Sequence, residues 1–198
     1  MMNKNTLKHE SKGFIDHTIS CLQGLEIGSS FCDAIEKIAN CKGIVITTGM
    51  GKNNHIARKV SSTFSSMKIP SCSIHPGEAL HGDSGVIRED DILLVFSTSG
   101  KTEEIIKTIE TARRLNVSCV ISLTSHMDSP IRRMSDIVLD IGEVSEAGYL
   151  GIAPTTSVLL MLLAGDILAT FSAKEKMVTL NDFHERHHSG YLGQKSVV

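Results

Sequence analysis

Five consecutive apolar residues, Ile92-Leu93-Leu94-Val95-Phe96, stop at Ser97-Thr98-Ser99-Gly100-Lys101-Thr102, where a helical pattern opens and runs to about Leu115. A strand that is apolar at every position is buried on both faces, the condition of a strand inside a parallel sheet. The turn that follows gathers unpaired backbone N–H groups, side-chain hydroxyls and the positive end of a helix dipole, a combination suited to a phosphate. A helix cap would account for Thr102, with Ser97 and Ser99 as ordinary turn residues. One hydroxyl suffices for a cap, however, and three cluster here.

The rest of the chain repeats this alternation. Residues 43–48, 73–74, 117–123 and 137–141 read as further strands, and residues 7–25, 29–38, 55–67 and 154–171 as helices, with Ser29 or Ser30 as the cap of the second. The segment 75–83 is polar and irregular and reads as a surface loop. Strands alternating with helices on short connections predict a three-layer α/β/α sandwich around a mostly parallel sheet. At 198 residues the chain is expected to form one domain, with leading helices over 1–41, an α/β core over 42–172 and a tail over 173–198. Ligands of such sheets bind outside the carboxyl ends of the strands. Three unusual loops are assigned to that edge: 49–54, 97–102 and 143–157.

Charge and cysteine usage exclude several classes. The formal net charge is −2 with basic residues scattered, which leaves nothing to neutralise a nucleic-acid backbone. Five Cys, with no C-x-x-C pair, read as buried thiols in a reducing compartment. The amino terminus carries no apolar signal-like run, and the apolar run 158–164 is too short to span a bilayer before Asp166 breaks it. A cytoplasmic protein with no membrane partner is the expectation.

Gly49-Met50-Gly51-Lys52 follows a strand, as nucleotide-binding turns do, but Asn54 stands where G-x-G-x-x-G needs glycine and Asn53 where a P-loop needs Ser or Thr. What remains is a tight turn that presents Lys52 as a point charge to an anion or a hydroxyl, or to solvent. Thr155, Thr156 and Ser157 would either cap the helix that begins there or add donors to the same edge. Glu146 just upstream and Glu104 in the first turn after Thr102 are the candidate carboxylates, although a Glu at position 104 also suits a helix dipole. His75, His81, His184, His187 and His188 fit no zinc spacing. No metal is expected to be required, with His75 and His81 as an inhibitory site at most.

These segments carry a resemblance. Gly49-Met50-Gly51-Lys52, His75-Pro76-x-Glu78-Ala79-x-His81-Gly82-Asp83, Ser97-Thr98-Ser99-Gly100-x-Thr102-x-Glu104 and Leu150-Gly151-x-Ala153-Pro154-Thr155-Thr156-Ser157 occur in the order and spacing of the sugar isomerase (SIS) domain. More narrowly the chain resembles the arabinose-5-phosphate isomerases, over about 42–193. The resemblance implies a flavodoxin-like sheet, a homotetramer with sites between subunits, and a small-molecule sugar phosphate as ligand. The implied reaction interconverts D-ribulose 5-phosphate and D-arabinose 5-phosphate without a cofactor, toward the bacterial sugar Kdo of lipopolysaccharide or capsule. Family members often carry two CBS domains, for which these 198 residues leave no room.

By position, the resemblance puts catalytic roles on Lys52, Glu104, Glu146 and His187. Substrate contacts fall to Gly49, Gly51, Ser97, Ser99, Thr102, Thr155 and His81. Glu146 is the leading base for the C–H proton, expected with a pKa near neutrality, and Glu104 is its rival. Lys52 would stabilise the enediolate, and His187, from the same or a neighbouring subunit, would open the furanose ring or shuttle the hydroxyl proton. Three departures stand out: Asn53 for the family's Ser, Lys101 for its Glu, and His188-Ser189 for its Pro-Gly. The competing readings are a sugar-phosphate-sensing module without turnover and an isomerase of another ketose phosphate such as a hexulose phosphate.

Overall fold

The computed structural model describes residues 3–195, so the ends of the leading and trailing segments lie outside it. Five strands, β1 (Val45–Gly49), β2 (Ser71–Ile74), β3 (Ile92–Phe96), β4 (Cys119–Thr124) and β5 (Ile137–Asp140), form one sheet in the order β2-β1-β3-β4-β5. Every pairing is parallel. Parallel neighbours need crossovers, and these are α3 (Lys52–Ser66), α5 (Glu103–Arg114) and the short α6 (Pro130–Met134). Ahead of the sheet lie α1 (Lys4–Gln23) and α2 (Ser29–Ala39); after it come α7 (Thr156–Glu175), α8 (Leu180–His184) and α9 (Gly190–Lys195).

β3 shows why its sequence is apolar throughout. Leu94 and Phe96 pack with Phe31, Ile38, Val60, Phe64, Leu160 and Leu168 of α2, α3 and α7. Leu93 and Val95 pack on the other face with Ile105, Ile109 and Ile131 of α5 and α6. Successive side chains on a strand point to opposite faces, so one strand feeds two cores and the expected three-layer α/β sandwich results.

Several boundaries differ from the sequence reading, each for a local reason. α3 begins at Lys52 rather than near His55, because Gly51 takes φ +60° and turns the chain directly into the helix. The second helix starts after Gly28, and neither Ser29 nor Ser30 caps it. The segment 75–83 is not a plain loop: it holds the short helix α4 (Pro76–Ala79), the start of a 3₁₀ turn (Asp83–Val86), and a buried Pro76 and Ala79 that pack toward α5. The polar turn before β3 also hides a buried group. Asp91 is 2% exposed, and its carboxylate accepts the N–H groups of Ile44 and Arg88, both at 2.8 Å.

α7 runs through Asp166 to Glu175, a few residues beyond the expected end near Phe171. By length and composition, with a mean hydropathy of 1.7, α7 is long and apolar enough to cross a bilayer. Its packing accounts for that composition. Leu160, Met161, Ala164, Leu168 and Ala169 are buried in the core. A Cβ on Gly165 would lie 2.5 Å from Val60 Cγ2, so glycine is what lets α3 approach this closely. Asp166 stays at the surface, paired with Lys59 Nζ at 2.6 Å.

Candidate functional site

β1 and β3 are neighbours, with Gly49 opposite Phe96. Their following loops leave the sheet side by side, where the strand order reverses direction, which is the ligand-binding crevice of an open parallel sheet. Gly49 is dictated by packing: a Cβ there would lie 2.6 Å from the Asn53 carbonyl oxygen. This close approach places Lys52 at the first position of α3, exposed and with no ion-pair or hydrogen-bond partner among the described residues. The adjacent Asn53 Oδ1 is buried without a partner among the described residues. Sequence reasoning treated Asn53 only as a departure, and nothing in local spacing marks its burial.

The turn after β3 is ordered by its own hydroxyls. Ser97 is 3% exposed, its N–H bonds to the Leu123 carbonyl at 3.1 Å, and its Oγ accepts the Gly100 N–H at 3.2 Å. Ser99 Oγ accepts the Lys101 N–H at 3.3 Å. With these oxygens accepting, both O–H hydrogens stay available to an outside acceptor. Thr102 occupies the cap position of α5 but makes no capping bond. The simple cap reading therefore fails, and the first-turn amides of α5 keep their unsatisfied positive end. Gly100, at φ +61°, lets the turn lie directly on Ser129, whose Oγ a Cβ would meet at 2.5 Å. Lys101 reaches Asp128 Oδ1 at 3.6 Å. Glu104, in the first turn of α5, is half-buried, whereas Glu103 pairs with Lys107 at 2.6 Å.

Glu146 lies in the loop between β5 and α7, and its carboxylate is held by the start of α7. Oε2 accepts the N–H groups of Thr155 at 2.7 Å and Ser157 at 3.2 Å, with the Thr155 hydroxyl at 3.3 Å. Among the described residues no bond reaches Oε1. Burial by itself raises the Glu146 pKa; the polar groups at the start of α7, Ser157 foremost and then the amide of Thr155, lower it by more, and the carboxyl ends below its ordinary value. The expected near-neutral carboxylate is thus corrected, because a helix N-terminus favours the charged form. Thr155 Oγ1 also donates to the Ala147 carbonyl at 3.0 Å, so its hydroxyl braces the loop rather than capping α7.

The histidines fall elsewhere. His187 stacks on Phe183, ring centroids 4.1 Å apart, and lies 3.3 Å from Ser66 Oγ. Ser66 ends the 15-residue helix that Lys52 begins, so His187 sits roughly 21 Å from Lys52 along α3. Within one chain the structure does not bring it to the crevice. A capping box at Thr179 and an ion pair of Lys68 with Asp182 hold this tail against the far end of α3. His75 Nδ1 accepts the Gly77 N–H at 3.2 Å and caps α4; His81 is exposed. Among the described residues no three His, Cys, Asp or Glu side chains are placed to hold a metal.

Comparison with known proteins agrees with this fold. Residues 37–171 match the SIS domain. Arabinose 5-phosphate isomerase KdsD of Escherichia coli strain K12 is 41% identical over 180 residues, 90% of this chain and 55% of that protein. The protein of the same name in Pseudomonas aeruginosa is 38% identical over 87% of this chain and 52% of its own length. The chain thus spans about half the length of these curated relatives. The solved structure of E. coli CFT073 c3406 in complex with arabinose 5-phosphate superposes with a TM-score of 0.89 at 34% identity, covering 94% of this chain and 100% of that one. With a flavodoxin-like strand order, the switch-point crevice and a match over most of its length, the chain belongs to the SIS domain family.

Proposed function

We propose that the chain is an aldose–ketose isomerase of phosphorylated sugars, interconverting D-ribulose 5-phosphate and D-arabinose 5-phosphate. The observation that carries this reading is the hydroxyl turn Ser97–Thr102, which leaves the start of α5 without a side-chain cap beside a Lys52 that has no partner among the described residues. The names of the relatives and the arabinose 5-phosphate complex of the structural neighbour support the same choice.

In this reading the sugar phosphate docks on the hydroxyls of Ser97, Ser99 and Thr102 and on the amides of α5, which positions the reacting carbons. A carboxylate then removes the C1 proton of the ketose as O2 gains one, giving a cis-enediol(ate). Returning a proton to C2 while O1 loses its own completes the aldose, with no net gain or loss of electrons. Glu146 takes the carbon proton through its free Oε1, with Glu104 as the alternative base. A low pKa makes Glu146 a weak base that stays ionised at neutral pH, so it is always in the accepting form. Lys52 stabilises the enediolate oxygen. His187 acts here only if a neighbouring copy supplies it, consistent with a homotetramer. The protein would work in the cytoplasm and feed Kdo synthesis.

The test is incubation of the purified chain with ribulose 5-phosphate in deuterated water. Arabinose 5-phosphate carrying solvent deuterium is expected. Binding without product would favour a sensing module, and turnover of a hexulose phosphate alone would redirect the substrate assignment.

A further inference from the structure

We propose that His17 is a positioning residue for Glu146 and that α1 is a strut of the loop carrying it. This inference rests on the isomerase reading, in which Glu146 meets the substrate.

His17 Nε2 lies 2.8 Å from the carbonyl oxygen of Ser145, the residue immediately before Glu146. With its proton on Nε2, the imidazole donates to that carbonyl. One helical turn earlier, Phe14 lies against Gly148, where a Cβ would stand 3.6 Å from Phe14 Cε2. Residues three apart share a helix face, so one face of α1 touches the loop on both sides of Glu146, at positions 145 and 148.

The loop needs such support. No regular element lies between β5 and α7, and Gly142, Gly148 and Gly151 all take positive φ, so the path is set by residues with the widest backbone freedom. At its tip Tyr149, Leu150 and Ile152 are exposed. Beside these two contacts an open groove of about 730 Å³ runs between α1 and the loop, lined by Leu7, Phe14, His17, Glu146 and Tyr149 among others, so the loop is propped rather than packed. The start of α7 fixes one carboxylate oxygen of Glu146. The position of the other, Oε1, then depends on the backbone at 145–148, where His17 acts. A base displaced by a fraction of an ångström loses rate while the phosphate grip, on other loops, is unchanged.

The experiment compares the full chain with His17→Leu, which keeps bulk and removes the donor, and His17→Gln, whose amide N–H can donate to Ser145. With ribulose 5-phosphate, His17→Leu is expected to lower kcat by about tenfold with KM within about twofold, and His17→Gln to recover most of the rate. Amide hydrogen exchange over 143–149 is expected to quicken in His17→Leu and not in His17→Gln. A His17→Leu variant with wild-type kcat would overturn the proposal. So would equal losses in both variants, or a His17→Leu chain that does not fold, since His17 would then be structural only. If the wild type itself fails to turn over ribulose 5-phosphate, the isomerase reading falls on its own. The exchange measurement still decides whether His17 holds the loop: unchanged rates at 143–149 would refute it.

Discussion

Glu146 Oε2 stands 2.7 Å from the backbone nitrogen of Thr155, so a carboxylate nine residues back in the chain closes the end of the helix that Thr155 begins. The bond serves two ends at once. It satisfies amides that no hydroxyl of residues 155–157 caps, and it immobilises one half of the candidate base.

Removing that carboxylate should register in stability as well as activity. Glu146→Ala is expected to cost about 1 kcal/mol, the usual penalty for a lost helix cap, measurable by urea unfolding at neutral pH. The pH dependence has a defined sign. The folded pKa lies below the ordinary value of 4.5, so the stabilisation is fully present above the unfolded pKa and fades as pH falls from there through the folded pKa. Glu146→Gln, which cannot ionise, should be less stable than the wild type at pH 7, and the gap should close as pH falls below about 4.5.

Thr102 separates ligand binding from helix capping. Because its hydroxyl makes no capping bond, Thr102→Ala should change stability by less than about 0.5 kcal/mol, well short of the cost of a working cap. Affinity for ribulose 5-phosphate is expected to fall severalfold, and Ser97→Ala with Ser99→Ala should weaken it further. Isothermal titration beside thermal melting would check both; a large drop in melting temperature with intact affinity would reverse the assignment.

Asp91 is the counterpart on the opposite edge of the sheet. Its buried carboxylate accepts the Ile44 and Arg88 amides, and a Cβ on Gly43 would fall 2.2 Å from Oδ1. Asp91→Ala strands two amide donors and should cost roughly 2–4 kcal/mol, read by urea unfolding, with kcat little changed because the crevice lies at the other end of β3. Gly43→Ala should be destabilising for the steric reason alone.

The thiols should react in order of exposure. Burial, helped by Asp136, pushes the Cys119 thiol up to about 11, whereas Cys32 is exposed. A thiol-specific reagent at pH 7.5 is expected to label Cys32 quickly in the folded protein and to reach Cys119 only after denaturant is added. Rapid labelling of Cys119 would mean that the start of β4 opens under native conditions.

Reading the chain from its residues alone located β3, the hydroxyl turn and α5 almost to the residue, because a run apolar at every position admits little but a doubly buried strand. α3 was placed three residues late, since a glycine at positive φ leaves no mark in hydrophobic periodicity. Nothing in the sequence marks Asp91 as buried, since a carboxylate's burial depends on which amides the fold brings to it. The tail histidine was assigned by likeness, with the subunit that supplies it left open, and within one chain it rests away from the crevice.

The residues by themselves determined the alternation of strand and helix, the sheet's parallel character and the chemistry at its carboxyl edge, because side-chain periodicity and turn composition act over a few residues. Only the tertiary structure decided that Glu146 is pinned by α7, that His17 reaches the loop beside it, and that His187 rests at the far end of α3. Those pairings join segments up to 128 residues apart, and their distances depend on crossover order and helix packing, which no local pattern encodes.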